Sequence, residues 1–414
     1  MAAGEGKRLR PLTYTRPKPM IHVAGKPSLQ IILEAIKENA GISDIILIVG
    51  YQQEKITEYF QDGAQLGLNI EYITQKEQLG TGHAALCAEE LIQSEPFLLM
   101  NGDILLNPEI FRKLIKKYES NPKNSLISVK KAPDPTSYGI VQFDQNNEAT
   151  RLIEKPSEEL AKNNPYTNAG LYILSPTIFK AIHKTPKSPR GEIEITDSIQ
   201  MLIDQGESLK IFKIEDFWLD IGKPWDLLEA NQYFLNRFEL VNSGIIEKNV
   251  QILGKVGIGE GTRIRSGSYL VGPLIIGQNA DIGPNCYIRD SCCIGNNVRI
   301  GNACEIKNSI IFDDTKIPHL SYVGDSLIGS GVNLGAGTIT ANLRFDNRTV
   351  PVSIKGAKED SGRRKMGAII GDHSQTGIGA TLMPGVKIGP GSIVGSNTIV
   401  YKDVPPKSVY IKRE

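Results

Sequence analysis

The sequence predicts an α/β, Rossmann-like domain followed by a left-handed parallel β-helix of hexapeptide repeats. Three observations carry this: a period of six late in the chain, apolar strands alternating with helical stretches early in it, and a length of 414 residues. That length exceeds one ordinary core, so two domains are expected. From Ile258 an aliphatic or Phe residue recurs at every sixth position, through Ile264, Leu270, Ile276, Ile282, Ile288, Ile294, Ile300 and Ile306 to Phe312. The beat returns from Ile370 through Leu382, Ile388, Val394 and Val400, with Thr376 off type. A period of six suits neither a helix face nor an alternating strand. It suits a coil of triangular section, one short strand per side, each side sending one apolar residue inward. Gly after the apolar residue, as at Gly259, Gly277, Gly295 and Gly301, is read as a tight corner that carries no Cβ cost.

The first part alternates apolar runs such as Ile45–Val49, Phe97–Met100 and Ser125–Val129 with helical stretches, the pattern of an α/β sandwich around a mostly parallel sheet. Residues 224–238 read as a closing helix, which divides the chain into 1–238 and 245–404. Lys plus Arg (47) balances Asp plus Glu (46), so neither nucleic acid nor membrane is an expected partner. Four of the five cysteines fall between Cys286 and Cys304. Cys286, Cys292 and Cys304 share the small-residue slot of the hexad with Thr262, Ser268, Ala280 and Val298, so they read as buried packing residues. With no signal segment and no long apolar span, the chain is expected to be cytoplasmic and reduced.

The N-terminal motifs come in order. Gly4-Glu5-Gly6 leads into Lys7, Arg8 and Arg10, followed by Arg16-Pro17-Lys18-Pro19. A Gly-x-Gly turn followed by basic residues brings backbone N–H groups and positive charge against phosphates. Gln75 to Gly82 precedes a helical stretch, and Asn101-Gly102-Asp103 follows an apolar run, at the strand end where open α/β sheets place ligands. Tyr138-Gly139, Glu154-Lys155-Pro156, Asn168-Ala169-Gly170 and Trp218-Leu219-Asp220-Ile221-Gly222 complete the set. Taken singly, Asp220 and Asn168 are equally well read as turn residues. His22, His83 and His183 match no motif.

The ordered set resembles the sugar-1-phosphate nucleotidylyltransferases over nearly the whole first domain. In that family a sugar phosphate attacks the α-phosphate of a nucleoside triphosphate, and the enzyme positions reactants and neutralises charge. The resemblance implies Mg²⁺ held by Asp103 and Asp220, with Arg8 and Lys18 as catalytic residues that brace the triphosphate and the developing charge. It implies nucleotide contacts from Gly4, Gly6, Gln75, Gly80 and Thr81, Gln75 and the Gly80 backbone reading uracil or thymine. Gly139, Glu154 and Asn168 would hold the sugar, with Lys155 near its phosphate. Two departures stand out. Lys7 occupies a position usually held by Thr. The family also has an apolar strand before Ala-Ala-Gly, where Met1 stands here, so the natural product is expected to begin upstream.

In the C-terminal domain the beat breaks after Phe312 at Lys316-Ile317-Pro318-His319-Leu320-Ser321-Tyr322-Val323-Gly324-Asp325 and resumes at Val332-Asn333-Leu334-Gly335-Ala336-Gly337. This is similar to the acetyltransferase half of the bifunctional glucosamine-1-phosphate acetyltransferase/N-acetylglucosamine-1-phosphate uridylyltransferases, particularly the archaeal ones. A glucosamine ammonium must lose a proton before it attacks a thioester, and His319 has the intrinsic pKa for that work. The resemblance implies that Arg289 and Lys307 contact the sugar phosphate, that Tyr322 and Asn333 fix the amino sugar, and that Asn342 or amides near Ala336 face the acetyl oxyanion. Acetyl-CoA and UTP are the implied co-substrates, and a homotrimer the implied assembly. The basic stretch 343–366 reads as either a protruding arm or a solvated loop. Two rivals remain: a single-activity glucose-1-phosphate uridylyl- or thymidylyltransferase with a non-catalytic β-helix, and a non-catalytic assembly or regulatory subunit.

Overall fold

A computed structural model describes residues 1–411 apart from 93, 133–137 and 155. It contains two compact units that do not follow chain order: residues 1–5 with 29–220, and residues 6–28 with 221–414. The sequence division at 238–245 therefore differs from the contact division, because the segment 6–28 and the helix Pro224–Arg237 both pack with the β-helix.

In the first unit the long strand Tyr166–Leu174 runs antiparallel to Ser125–Lys131 and to Phe97–Met100. Leu209–Ile214 lies parallel to Ser125–Lys131. The sheet is thus mixed where the alternation predicts mostly parallel. Its helical cover includes Thr177–Lys184 and Ile195–Asp204, whose buried Ile178, Phe179, Ile199 and Leu202 pack with Ile127, Tyr172 and Leu174. Asp44–Val49 and Asn69–Thr74 form a separate parallel pair. Between Asp44–Val49 and Phe97–Met100 lies a cavity of about 560 Å³, lined by apolar residues including Leu33, Ile46, Ile48 and Leu99. At its end the Met1 ammonium donates to Met100 O (2.8 Å) and Ala2 N–H to Ile48 O (2.7 Å).

The second unit is built of three parallel sheets wound as one coil. Arg263 pairs with Asp281 and Asp281 with Arg299, which is three hexads per turn. Ile264, Ile282, Ile288, Ile300 and Ile306 line its interior, together with Cys286, Cys292 and Cys304. All five cysteines are free, and burial pushes the Cys286, Cys292 and Cys293 thiols up to about 12.

Two details of the beat are corrected. The first is its register. Ile294 pairs with Ile311, Ile300 with Ile317 and Ile306 with Val323, one residue short of three hexads. Phe312 is consequently not an interior residue. It is buried instead against the ring of His22, with centroids 5.9 Å apart. The coil does not break at Lys316–Asp325; Ile317 and Val323 carry it through.

The second correction concerns glycine. Gly259, Gly277, Gly295 and Gly301 are absent from the positive-φ positions, which belong to residues such as Asn279, Asn285, Asn297 and Gly261. The short polar side chain of Asn tolerates that left-handed region. What those four glycines provide is close approach: a Cβ on Gly259 would lie 2.6 Å from the Gly277 backbone in the next turn.

The stretch 343–366 is neither a bare arm nor a solvated loop. Pro351–Ile354 and Ala357–Asp360 form an antiparallel hairpin. Val350, Val352, Ile354 and Met366 are buried, while Phe345 at the start of the excursion is fully exposed.

The shifted register is testable by unfolding. Ile317→Asp places a carboxylate in the coil interior and is expected to abolish the cooperative thermal transition, since an isolated buried charge costs several kcal/mol or more. Lys316→Asp, one residue away and exposed, should leave the midpoint nearly unchanged.

Candidate active sites

The first unit gathers three groups of the expected nucleotidyl-transfer residues. Gln75 is buried. Its amide Nε2 donates to Gly80 O (3.1 Å) and lies 3.1 Å from His83 Nδ1. The side-chain oxygen is the end left to meet a donor such as a pyrimidine N3–H. His83, which the motifs passed over, therefore orients Gln75; it lies in the helix Thr81–Leu86 while Gln75 follows the strand Asn69–Thr74, so no sequence periodicity links the two. Gly80 needs its φ of +102°, and a Cβ there would sit 2.5 Å from Ile193 O. Thr81 Oγ1 accepts the Ile195 N–H (3.0 Å) at the start of the helix Ile195–Asp204. In this state its hydroxyl serves the loop junction.

Strand pairing brings the segments that carry Asp103 and Asp220 side by side. Trp218–Asp220 runs antiparallel to Ile104–Leu106, with Asp220 opposite Ile104, the residue after Asp103. Gly102 is required by close approach: its N–H donates to Met1 O (2.8 Å), and a Cβ would lie 2.8 Å from that oxygen. Among the described residues no group of three or more His, Cys, Asp or Glu side chains gathers as a metal cage. A pair of hard carboxylates suits Mg²⁺, which takes one or two of them and completes its shell with water and substrate phosphate.

The sugar-side residues adjoin this pair. Asn168 N–H donates to Gly139 O (2.7 Å), and the Glu154 carboxylate lies over Gly139, where a Cβ would come 2.8 Å from Oε2. The Asn168 side chain is held at both ends, donating to the Tyr172 hydroxyl (2.7 Å) and accepting from Gly170 N–H (3.1 Å). Gly170 O accepts from Asn101 N–H (3.1 Å), and Trp218 Nε1 donates to Ala169 O (2.9 Å). These two bonds tie the sugar loop to both carboxylate strands. The Tyr138 and Trp218 rings meet edge to face, centroids 5.6 Å apart, an apolar wall that sequence order alone does not assemble. Lys155 lies outside the described residues. Gly4 is exposed.

Gly6, Arg8 and Lys18 belong to the second unit. Gly6 has φ +68°, and its backbone lies against the Lys18 side chain, a Cβ there coming 2.9 Å from Lys18 Cβ. The Thr13 hydroxyl donates to Gly6 O (2.9 Å). The exposed Arg8 guanidinium lies beside Gly222. Asp226 accepts from Gly222 N–H (2.8 Å) and Lys223 N–H (2.6 Å), which with Pro224 fixes the start of the following helix.

On the β-helix, Tyr287, Glu305, Tyr322 and Ile339 stack in register down one face. Arg289 pairs with Glu305 at 2.9 Å. At the centre is Asp325, only 2% exposed, which accepts from Asn342 (2.6 Å) and Asn308 (2.7 Å) and faces Lys307 Nζ at 3.3 Å. Asn342 Nδ2 also donates to the Tyr322 hydroxyl (3.0 Å). Both amide hydrogens of Asn342 are committed, so in this state it braces Tyr322 rather than facing an acetyl group. Desolvation pushes the Tyr322 phenol above its usual range, so it is held neutral. His319 is exposed at the end of Lys316–His319, and its carbonyl accepts the Gly337 N–H (3.2 Å), which sets it beside the Ala336 turn. Asn333 is exposed on a different face of the coil, paired with Lys316 and Gln375. Asp325 is the residue whose importance the motif did not show.

An α/β nucleotide-type domain on one side of the chain and a hexapeptide coil on the other define a two-part transferase. Residues 1–237 match the Nucleotidyl transferase family, 270–377 the GMPPB C-terminal domain, and 367–402 the six-repeat bacterial transferase hexapeptide family. Across all of its length the chain is 46% identical to the Bifunctional protein GlmU of Methanococcus maripaludis, spanning 97% of that protein. It is 41% identical to the Bifunctional sugar-1-phosphate nucleotidylyltransferase/acetyltransferase of Sulfurisphaera tokodaii, over 98% of this chain and 97% of that one. A UDP-glucose pyrophosphorylase solved with UDP-glucose matches 57% of the chain and 97% of its own length, at 25% identity and TM-score 0.52. The chain belongs to the family of bifunctional sugar-1-phosphate nucleotidylyltransferases/acetyltransferases. No helix among the described residues is long and apolar enough to cross a membrane.

The Asp325 network predicts a measurable cost. Asn342→Ala removes one donor from a buried carboxylate and should lower unfolding free energy by about 1–3 kcal/mol in urea. It should also raise KM for the amino sugar, as Tyr322 loses its brace.

Proposed function

We propose that the enzyme completes UDP-N-acetylglucosamine in two steps: it acetylates glucosamine-1-phosphate with acetyl-CoA, then transfers UMP from UTP to N-acetylglucosamine-1-phosphate with release of pyrophosphate. The observation that carries this reading is full-length similarity to proteins named bifunctional, in a chain that holds both residue sets.

In acetyl transfer, Arg289 and Lys307 take the sugar phosphate while Tyr322 holds the amino sugar, joined by Asn333 from the other coil face of a neighbouring copy in the proposed trimer. His319 removes a proton from the ammonium, and the freed amine attacks the thioester carbonyl. The Ala336 amide faces the oxyanion. The C–S bond then breaks and coenzyme A leaves, taking up a proton as thiol. The exposed Tyr269, Tyr287, Ile339 and Ile399 on one face of the coil support packing against further copies of the chain, and a homotrimer is the assembly we propose. The five free cysteines support a reducing, cytoplasmic setting.

In nucleotidyl transfer, a phosphate oxygen of the sugar phosphate attacks the α-phosphorus of UTP, and the bond to the β-phosphate oxygen breaks. Asp103 and Asp220 would hold Mg²⁺, which supplies charge neutralisation for the triphosphate. Arg8 and Lys18 neutralise the departing pyrophosphate, and Gln75 accepts from the pyrimidine. Gly139, Glu154 and Asn168 hold the sugar, with Lys155 near its phosphate by resemblance.

Two measurements test the reading. Asp220→Asn or Asp103→Asn should abolish pyrophosphate release from UTP and leave coenzyme A release intact; loss of both reactions in a folded variant would refute two separate chemistries. His319→Ala should lose acetyl transfer on the order of a hundred-fold or more, with residual rate rising with pH as free amine becomes available. The same variant should process ready-made N-acetylglucosamine-1-phosphate at the normal rate.

A further inference from the structure

The segment 15–25 is bound to one face of the β-helix by a set of contacts that neither proposed reaction uses. Arg16 forms an ion pair with Asp372, both side chains being largely buried, and Arg16 Nη2 donates to Ser330 Oγ (3.1 Å). Thr15 Oγ1 donates to Asp372 Oδ2 (2.7 Å). The Arg16 guanidinium lies 4.5 Å from the centre of the Phe312 ring, against whose edge His22 also packs. Further along, Gly25 N–H donates to Cys293 Sγ (3.1 Å), and the fully buried Asn231 accepts from Ala24 N–H (2.9 Å) while donating to Ser291 O (2.8 Å).

Asp372 is itself fixed by the coil. Its Oδ1 accepts the Ser330 N–H (2.9 Å), and Gly329 leaves room for it, a Cβ there falling 2.5 Å away. A nearly buried carboxylate and a largely buried guanidinium that satisfy one another are costly to separate, because the partner left behind is an uncompensated charge. The anchor is therefore stiff.

The stiffness passes directly to Lys18. Pro17 stands between Arg16 and Lys18 with φ −70°, and Pro19 follows in the short helix Lys18–Met20. Two proline rings leave little backbone freedom on either side of the lysine. Lys18 in turn packs against Gly6, the hinge of the Gly-x-Gly turn.

We propose that Asp372, on the β-helix, is a positioning residue for nucleotidyl transfer: through Arg16 it sets the place of Lys18 and of the glycine turn packed on it. The inference rests on the reading of that loop as the triphosphate brace. It gives the β-helix a part in the first domain's chemistry, separate from acetyl transfer and from assembly.

The test is a double-mutant cycle on the full-length enzyme, with pyrophosphate release from UTP and coenzyme A release measured on the same preparations. Arg16→Ala and Asp372→Asn are each expected to lower kcat for pyrophosphate release by about ten- to a hundred-fold, the size of effect that a misplaced catalytic group produces. The double variant should be no worse than either single one, since both break the same contact. Coenzyme A release should stay within about two-fold, and Arg16→Lys should recover part of the lost kcat. Wild-type pyrophosphate release in folded Arg16→Ala would overturn the proposal, and so would parallel loss of both activities, which marks general destabilisation. Should Arg16→Ala fail to fold, Arg16→Lys alone decides, an unchanged kcat overturning the proposal. Absence of pyrophosphate release from the unaltered enzyme would instead overturn the underlying function.

Discussion

Each side of the coil sends one large apolar side chain inward beside a small one, and neighbouring turns lie so close that the backbone itself sets what can stand at the edge. Gly259 and Gly277 face the next turn at distances no Cβ could occupy. Once that spacing is imposed, residues three hexads apart stack in columns, and the outward positions inherit the order. This is how Tyr287, Glu305 and Tyr322 come to lie above one another, with Arg289 and Lys307 two residues further along their strands. The face proposed for acetyl transfer is a consequence of packing periodicity rather than of any local motif.

Within that face, Asp325 plays the part of a fixed negative pin. A carboxylate so deeply buried persists only with donors around it, and Lys307, Asn308 and Asn342 provide them. The pin holds Asn342 in reach of the Tyr322 hydroxyl and keeps the Lys307 ammonium at a defined height. Preorganisation of this kind would lower the cost of seating the phosphorylated sugar proposed for this face, since groups already held in place do not have to be ordered on arrival.

Much of this was legible in the sequence, and the misses have physical causes. The hexad beat gave the coil because every sixth residue must be apolar whatever the neighbours. It misplaced Phe312, since a turn shortened by one residue leaves a hydrophobic side chain next to the true interior position, Ile311. The glycines were read as tight corners with no Cβ cost; at Gly259 and Gly277 it is close stacking of the next turn that demands them, whereas Gly283 does take a positive φ. In the nucleotidyl-transfer half, motif order singled out Asp103, Asp220, Gln75 and Asn168 as candidates. His83 beside Gln75, and Trp218 bonded to Ala169, come from contacts that chain order does not encode.

The division into compact units is the least legible feature, and the most consequential. Residues 6–28 carry the glycine turn and Lys18, yet they count with the β-helix because Arg16, Ala24 and Gly25 each find a polar partner on it or on the helix Pro224–Arg237. The segment buries Leu9, Leu12, Ile21 and Val23, but it is too short to form a core by itself. It acquires order from whatever rigid surface it lies on. Here that surface is a stack of short parallel strands, each hydrogen-bonded to turns on both sides, about as unyielding a platform as a protein offers. Joining the loop to such a platform fixes its geometry, as its proposed part in phosphate binding requires. Phe312, displaced from the coil interior by the shortened turn, is one of the side chains that receives it: the register shift that spoils the hexad beat also creates the seat for Arg16 and His22.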